Sequence, residues 1–303
     1  MKISVVTTLY KSAVYIPEFI QRIADQAEIL TDDYEIIMVD DGSPDNSLAI
    51  ALEIKAKFPK IKLIELSRNF GHHKAMMTGL DHASGDFVFL IDSDLEEAPE
   101  LLGDFYKKMQ AENWDVVYGY QQNRRGGVVK RNLGALGWKF IQWTVPIRIP
   151  NNQCTVRLMR RDYVRSLCLH KEYKTAIGGL WVLTGYRQTG VVIDKKERGI
   201  SAYTFSHRLN MFFESITSFS DAPLYLTLYL GLSIFIAACG ISLGLIYRKL
   251  SGAVLEGWIS IMISVWMLGG LILFCIGLLG LYIARIFIET KNRPYTIIRK
   301  IYE

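Results

Sequence analysis

The chain has 303 residues, half of them hydrophobic, with a formal net charge of +5. That length suits one large domain plus an appendage, and the basic residues form no aromatic-interleaved patch, which excludes a nucleic-acid partner. Cys154, Cys168, Cys239 and Cys275 show neither metal-ligand spacing nor a disulfide framework, as fits a reducing compartment for the main domain.

The first half repeats one pattern of apolar strand, polar loop and amphipathic helix. Strands are predicted at Ile3–Leu9, Glu35–Val39, Ile61–Leu66, Phe87–Ile91 and Val116–Tyr120. Helices are predicted at Val14–Ala27, from a cap at Asp45 to about Phe58, from about His73 to Ala83, and from Pro99 to about Glu112. Met1-Lys2 leads directly into the first strand, so the N-terminus does not read as a signal peptide. Alternating strands and helices imply an α/β, Rossmann-like fold with a mainly parallel sheet covered on both faces. No Gly-x-Gly-x-x-Gly follows the first strand and no Gly-Lys-Ser/Thr loop is present, which weakens the dinucleotide and P-loop readings. Gln121–Lys130 reads as a loop, Asn132–Trp143 as a helix with an aromatic face, and Thr155–Met159 and Gly190–Ile193 as strands.

The remainder is apolar. Leu209, Phe212, Phe213, Ile216 and Phe219 recur at helical spacing, which predicts an interfacial amphipathic helix over 206–223 or, alternatively, a helix packed on the soluble domain. Leu224–Tyr247 and Trp258–Ile288 are each long enough to cross a hydrocarbon core of ~30 Å, which takes about 20 helical residues. The predicted organisation is a catalytic domain over 1–205, the amphipathic helix, a two-span hairpin over 224–290, and a basic tail over 291–303. Lys291, Arg293, Arg299 and Lys300 in the tail, against Arg248 and Lys249 in the connection, place both ends in the cytoplasm of an inner-membrane, multi-pass protein. Two spans pack in cis or across a homo-oligomer, and the pattern does not choose.

Asp92-Ser93-Asp94 carries the most chemistry. It follows the apolar run Phe87–Ile91, so two carboxylates leave a sheet edge together, where open α/β sheets bind their ligands. Such hard oxygen donors hold a divalent cation against a pyrophosphate; the plainer reading is two solvated loop aspartates. His72-His73 are adjacent and do not face each other on a helix, so they read as a helix start.

Several blocks together resemble the family 2 glycosyltransferases of GT-A fold, and within them the membrane-anchored polyprenyl-phosphate glycosyltransferases. They are Val5-Val6-Thr7-Thr8-Leu9-Tyr10, Val39-Asp40-Asp41-Gly42-Ser43, Leu66-Ser67-Arg68-Asn69-Phe70-Gly71, Gly79–Asp86, Ile91–Leu95, Thr217–Leu224 and Asn292-Arg293-Pro294-Tyr295. Each block is weak alone, but their order and spacing cover nearly the whole chain. The resemblance implies a nucleotide-sugar donor, UDP- or GDP-linked, with Mg²⁺ or Mn²⁺ on its diphosphate. It implies direct metal ligation by Asp94, with Asp92 toward the ribose or the ion's water shell. Thr8, Tyr10, Asp40 and Asp41 would hold nucleobase and ribose, with Ser93 and Glu96 completing the donor site. Arg124, Arg131, Lys196, Arg198, Ser201 and Tyr203 would meet the donor diphosphate or the lipid phosphate, or alternatively form a basic surface facing anionic lipid. Trp181 is a sugar platform or, more in keeping with its apolar neighbours, core.

One departure stands out. Where polyprenyl-phosphate transferases carry an acidic Asp-Phe-Arg-Leu pattern, this chain has Asn151-Asn152-Gln153 ahead of Arg157-Leu158. A sugar hydroxyl acceptor needs a base to take its proton, which here would fall to Glu96 or Glu97, whereas a lipid phosphate is already anionic. The expected activity is therefore inverting transfer of a sugar to polyprenyl phosphate at the cytoplasmic membrane face. The alternatives are addition to a lipid-linked saccharide in surface polysaccharide assembly, and a non-catalytic membrane scaffold.

Overall fold

The strand β1 (Ile3–Leu9) is buried along its entire length, its polar Ser4, Thr7 and Thr8 included, as a central strand of a mainly parallel sheet is. It lies at the centre of an eight-stranded sheet in the computed structural model, which describes residues 1–122, 150, 152–172, 177–195, 222–251 and 257–303. Its neighbours are β2 (Tyr34–Asp40) and β4 (Phe87–Leu90), both parallel, with β3 (Ile61–Leu66) parallel beyond β2. These four strands match the sequence expectation to within one residue at each end.

The helices follow from their periodicity. In α1 (Ile16–Leu30) the residues Ile16, Phe19, Ile20, Ile23, Ala24 and Ala27 are buried, a single stripe at helical spacing. The helix α4 (Leu101–Glu112) buries Leu102, Phe105 and Met109 the same way. Each large side chain so buried contributes about 1.5–3 kcal/mol. Between them come α2 (Ser47–Lys57) and α3 (His72–Asp81). The cap position of α2 is Asn46, not Asp45; Asp45 lies one residue earlier, where its Oδ1 accepts from the Ser47 amide at 3.2 Å and from the Ser47 hydroxyl at 2.6 Å.

Beyond β5 (Val116–Tyr120) the sheet becomes mixed. The strand β6 (Gln153–Arg160) inserts antiparallel between β4 and β5, and β7 (Gln188–Val192) runs parallel to β5 at one edge. The full order is β7-β5-β6-β4-β1-β2-β3-β8, where β8 is Ile298–Tyr302. Two short helices, α5 (Arg161–Leu167) and α6 (Ile177–Leu183), connect β6 to β7. β6 begins two residues before the apolar run, because Gln153 pairs with Tyr120 across a register shift.

The tail over 291–303 is more than a basic extension. Ile298–Tyr302 form β8, antiparallel to β3. Glu65 on β3 fastens it, accepting from Arg299 at 3.1 Å and from the Tyr302 hydroxyl at 2.8 Å.

The chain divides into two compact units. The sheet unit comprises Met1–Arg131, Ile147–Tyr203 and Arg293–Glu303. The second contains α7 (Ala222–Leu250) and α8 (Trp258–Thr290). Among the described residues one stretch, Met267–Thr290, is long and apolar enough to cross a membrane, with a mean hydropathy of 2.5 and none of that window buried; Pro223–Ile234 is a shorter apolar stretch. Of the two predicted spans, the second falls within α8, which contains this stretch; the length and composition of one stretch do not make the hairpin. The predicted amphipathic helix over 206–223, the helix at Asn132–Trp143 and most of the loop at Gln121–Lys130 lie outside the described residues.

Candidate functional site

The site is built on the carboxyl edge of β1, β2 and β4. On the β2 side, the chain turns at Asp40-Asp41-Gly42-Ser43. Asp41 holds this turn to the one after β3: its two oxygens accept from the amides of Phe70 at 2.7 Å and Gly71 at 3.0 Å. Gly42 has φ +62°, and a Cβ there would sit 2.6 Å from the backbone of Arg68 and Asn69, so the crossing of the two loops requires glycine. Asp40 is buried, and burial pushes its carboxyl up to about 6. Its Oδ1 has no hydrogen-bond partner among the described residues, which leaves an acceptor beside the loop.

On the β1 side, Tyr10 is half exposed and Lys11 sits over its ring at 5.6 Å. Thr8 is buried, and its hydroxyl lies 3.0 Å from His72 Nδ1. The other ring nitrogen, Nε2, is 3.3 Å from Asp92 Oδ1. With Nε2 protonated, the imidazole accepts from Thr8 and donates to Asp92, and so links the ends of β1 and β4. His72 reaches this place because Gly71, held by Asp41, starts α3 at the same edge.

On the β4 side, the triplet turns sharply. Ser93 is buried and donates to the Thr8 carbonyl at 2.9 Å, so its hydroxyl fixes the loop to β1. Asp94 accepts the Glu96 amide at 2.9 Å, across a Leu95 held at φ +59°. That left-handed conformation is costly for a leucine and marks strain at the turn. Burial raises the Asp94 carboxyl, and the charges of Asp92 and Glu96 add to the rise. Lys195 lies 3.0 Å from Glu96 and 3.8 Å from Glu97. Glu97 is fully buried, and burial first, then Asp92, pushes it up to about 8. The ammonium of Lys195 is driven upward by this carboxylate set against the cost of its burial.

The structure thus brings Thr8, Tyr10, Asp40, Asp41, Asp92, Ser93, Asp94 and Glu96 to one sheet edge. Arg124, Arg131, Lys196, Arg198, Ser201 and Tyr203 lie outside the described residues. Trp181 is core: it is 4 % exposed, and the guanidinium of the fully buried Arg157 covers its ring at 3.0 Å. One residue at the edge, His72, was expected only as a helix start. His72 escaped because its two neighbours come from other strands. The pairing of Lys195 with Glu97 escaped because it joins the segment after β7 to the loop after β4.

The residues present fit a hard divalent cation. Asp92 and Asp94 offer oxygen donors in a crowd of carboxylates whose repulsion a cation relieves. Among the described residues no three His, Cys, Asp or Glu side chains converge on one point, so an ion here would complete its shell with donor phosphate oxygens and water.

Comparison with known proteins places the chain in a family. The model for "Glycosyl transferase family 2" matches residues 4–168. A Mycobacterium tuberculosis relative with a glycosyltransferase name is 47% identical over 100% of this chain and 89% of its own length. The bactoprenol glucosyl transferase of Shigella phage SfII is 34% identical over 99% of this chain and 98% of its own. Staphylococcus aureus TarS 1-349 in complex with UDP-GlcNAc overlays with a TM-score of 0.47 at 22% identity, over 72% of this chain and 66% of that one. The chain belongs to glycosyl transferase family 2, and it is a glycosyltransferase.

Proposed function

We propose that this enzyme transfers a sugar, with inversion, from a nucleotide-sugar donor to a polyprenyl phosphate at the cytoplasmic face of a membrane, with Mg²⁺ or Mn²⁺ on the donor diphosphate. The observation that carries the reading is the placement of Asp92 and Asp94 together on the carboxyl edge, in a chain that has Asn151-Asn152-Gln153 ahead of Arg157-Leu158 in place of the acidic pattern. The bactoprenol glucosyl transferase relatives, collinear over nearly the whole chain, support a lipid phosphate acceptor.

The chemistry follows from that pairing. A phosphate oxygen of the lipid attacks the anomeric carbon, the bond from that carbon to the donor diphosphate breaks, and the nucleoside diphosphate leaves. No proton has to be removed, because the attacking phosphate is already anionic at neutral pH. A bound divalent ion neutralises charge on the leaving diphosphate. Asp94 and Asp92 would hold that ion. His72 holds Asp92 toward the edge, and Ser93 holds the loop against β1. Asp40, with its unpaired Oδ1, and Tyr10 are offered to the nucleoside.

Chain connectivity supports a two-span anchor. Arg293–Glu303 belong to the same unit as the sheet, with β8 hydrogen-bonded to β3. A chain that leaves this unit and returns to it crosses a bilayer an even number of times. The apolar stretch Met267–Thr290 then needs a partner span, and α7, with its apolar stretch Pro223–Ile234, supplies one.

The test is a panel of radiolabelled UDP- and GDP-sugars given to purified protein with undecaprenyl phosphate and Mn²⁺ or Mg²⁺. Label moves from one of these donors into a lipid fraction, and mild acid releases it as the free sugar. Acid-stable label attached through an internal glycosidic bond would instead establish transfer to a lipid-linked saccharide.

A further inference from the structure

The β2–β3–β8 end of the sheet holds a pair of buried carboxylates, of which the nucleoside contacts above use one. Asp40 ends β2, and Glu65 lies opposite it in the parallel β2–β3 register, so the two side chains share a face of the sheet. Asp40 is 2 % exposed and Glu65 7 %. Two neighbouring carboxylates in a buried place resist ionising together, and one becomes the member that takes up a proton. Their surroundings decide which. Glu65 is satisfied at both oxygens by β8: Arg299 donates to Oε1 at 3.1 Å and the Tyr302 hydroxyl to Oε2 at 2.8 Å. A bulge puts Arg299 there. Leu66 pairs with Ile298 and Glu65 with Lys300, so Arg299 is the extra residue of β8, and a bulge re-aims the side chain it carries. Lys300 turns to the Tyr302 ring instead, its ammonium 4.7 Å from the centroid. Asp40 has much less. Its Oδ2 accepts the Ser43 amide at 3.4 Å, and its buried Oδ1 has no partner among the described residues. Of the other charges nearby, Asp41 adds to the repulsion on Asp40, while His72 of α3 and Arg68 act on Asp41. Asp45, ahead of α2, engages the Ser43 hydroxyl at 2.7 Å, and Leu9, the register partner of Asp40 on β1, is apolar.

We propose that β8 is a positioning element of the nucleoside site: by donating to both oxygens of Glu65, Arg299 and Tyr302 keep the charge of the Glu65–Asp40 pair on Glu65, and leave Asp40 as the carboxyl that exchanges a proton or a hydrogen bond with the nucleoside. The inference rests on the nucleotide-sugar reading and deepens it. It makes donor affinity answer to pH just below neutrality, because Asp40 is raised to about 6 by burial first and by Glu65 and Asp41 after it. It also ties the donor site to a strand that the chain reaches only after the apolar helix α8, which ends at Thr290, before β8 begins at Ile298.

The test is calorimetry of UDP and GDP with Mn²⁺ on the full-length protein in nanodiscs, from about pH 5 to about pH 8, with melting temperature as the check on folding. Wild-type affinity for the nucleotide it takes falls as pH drops through about 6, and Asp40→Asn removes that fall. Glu65→Gln keeps an acceptor for β8 but takes away the charge opposite Asp40. It moves the fall down by about one pH unit, so that at about pH 5 it binds about fivefold tighter than wild type. Tyr302→Phe leaves net charge alone and lets Glu65 compete for the proton, so it moves the fall the same way, by about twofold in affinity at that pH. The double variant matches Glu65→Gln, because the phenol acts through Glu65. Near pH 8 all of these bind within about twofold of wild type. A merely structural tie would alter melting and leave the pH profile in place. If Asp40→Asn removes the fall but neither Glu65→Gln nor Tyr302→Phe moves it, the role of β8 is overturned and the nucleoside reading of Asp40 stands; Tyr302→Phe alone decides should Glu65→Gln not fold. If Asp40→Asn keeps both the affinity and the fall, or no nucleotide binds wild type at any pH, the nucleoside reading itself fails and takes the role of β8 with it.

Discussion

The two flanks of the carboxyl edge use their acids in opposite ways. On the β2 flank, Asp41 accepts two backbone amides and Asp45 organises the start of α2, so these carboxylates are engaged by the chain itself. On the β4 flank, Asp92, Asp94, Glu96 and Glu97 crowd into six residues, with Lys195 as the cation placed directly against them. Apart from Asp40, whose Oδ1 has no hydrogen-bond partner among the described residues, the β2 flank is a structural joint. The β4 flank holds uncompensated negative charge in partly buried positions, a state a protein sustains where a ligand brings the missing positive charge. On the proposed function, substitutions on the two flanks should separate stability from chemistry.

The largest effect is expected at Asp94. Asp94→Ala removes a donor from the ion's shell, and turnover of radiolabelled nucleotide sugar into lipid falls about 10³-fold or more, the scale of losing one strong electrostatic contact to the leaving group. Thermal stability stays level or rises, since a buried, mutually repelling charge is gone. A variant that turned over at the wild-type rate would end the assignment of this flank.

Asp41→Ala gives the opposite signature. It strands the amides of Phe70 and Gly71, each of which donated to a charged oxygen, at a cost of about 2–4 kcal/mol. Calorimetry should record a fall of about 5–10 °C in melting temperature. Nucleotide affinity falls only as far as the 68–71 turn loosens. Unchanged melting with abolished nucleotide binding would move Asp41 from joint to ligand.

Glu97 sharpens the contrast through pH. Its ordinary value is 4.5 and burial lifts it to about 8, so between these limits the folded protein keeps a proton that the unfolded chain loses. Stability therefore declines as pH rises from about 4.5 to about 8, with a slope from this group approaching 1.4 kcal/mol per pH unit, and is flat in this group above. Glu97→Gln cannot titrate and removes that decline. Denaturation midpoints at several pH values compare the two proteins; parallel curves would mean that Glu97 is ionised throughout.

What the sequence made legible follows the range of the interactions involved. β1 to β5 are local apolar runs, and the triplet at the end of β4 is local too, so both were readable. β8 was not, because Ile298-Arg299-Lys300-Ile301-Tyr302 reads as basic tail until Glu65, more than 230 residues earlier, supplies its partners. β6 was clipped at its start because Gln153 is paired by the register of its neighbour, not by hydrophobicity. The β4 flank was half legible: its carboxylates are contiguous, while the lysine opposite them arrives from beyond β7.

His72 tests whether the flanks are as separate as their hydrogen bonds suggest, since it stands between them. Its Nδ1 meets Thr8 at 3.0 Å and its Nε2 meets Asp92 at 3.3 Å, while its backbone starts from the Gly71 that Asp41 holds. Nearly half of its side chain is exposed, so truncation creates no cavity, and His72→Ala should leave the melting temperature almost unchanged. It frees Asp92 to adopt other rotamers, and outer-sphere losses of this kind reduce metal affinity or activity by about 10- to 100-fold. The loss belongs in kcat and in Mn²⁺ affinity measured by calorimetry with nucleoside diphosphate, with little change in the KM for acceptor. His72→Gln, which returns an amide donor near the Nε2 position, should recover part of it. If His72→Ala instead melted like Asp41→Ala and kept its kcat, the imidazole would belong to the structural joint, and Asp92 would need another residue to hold it.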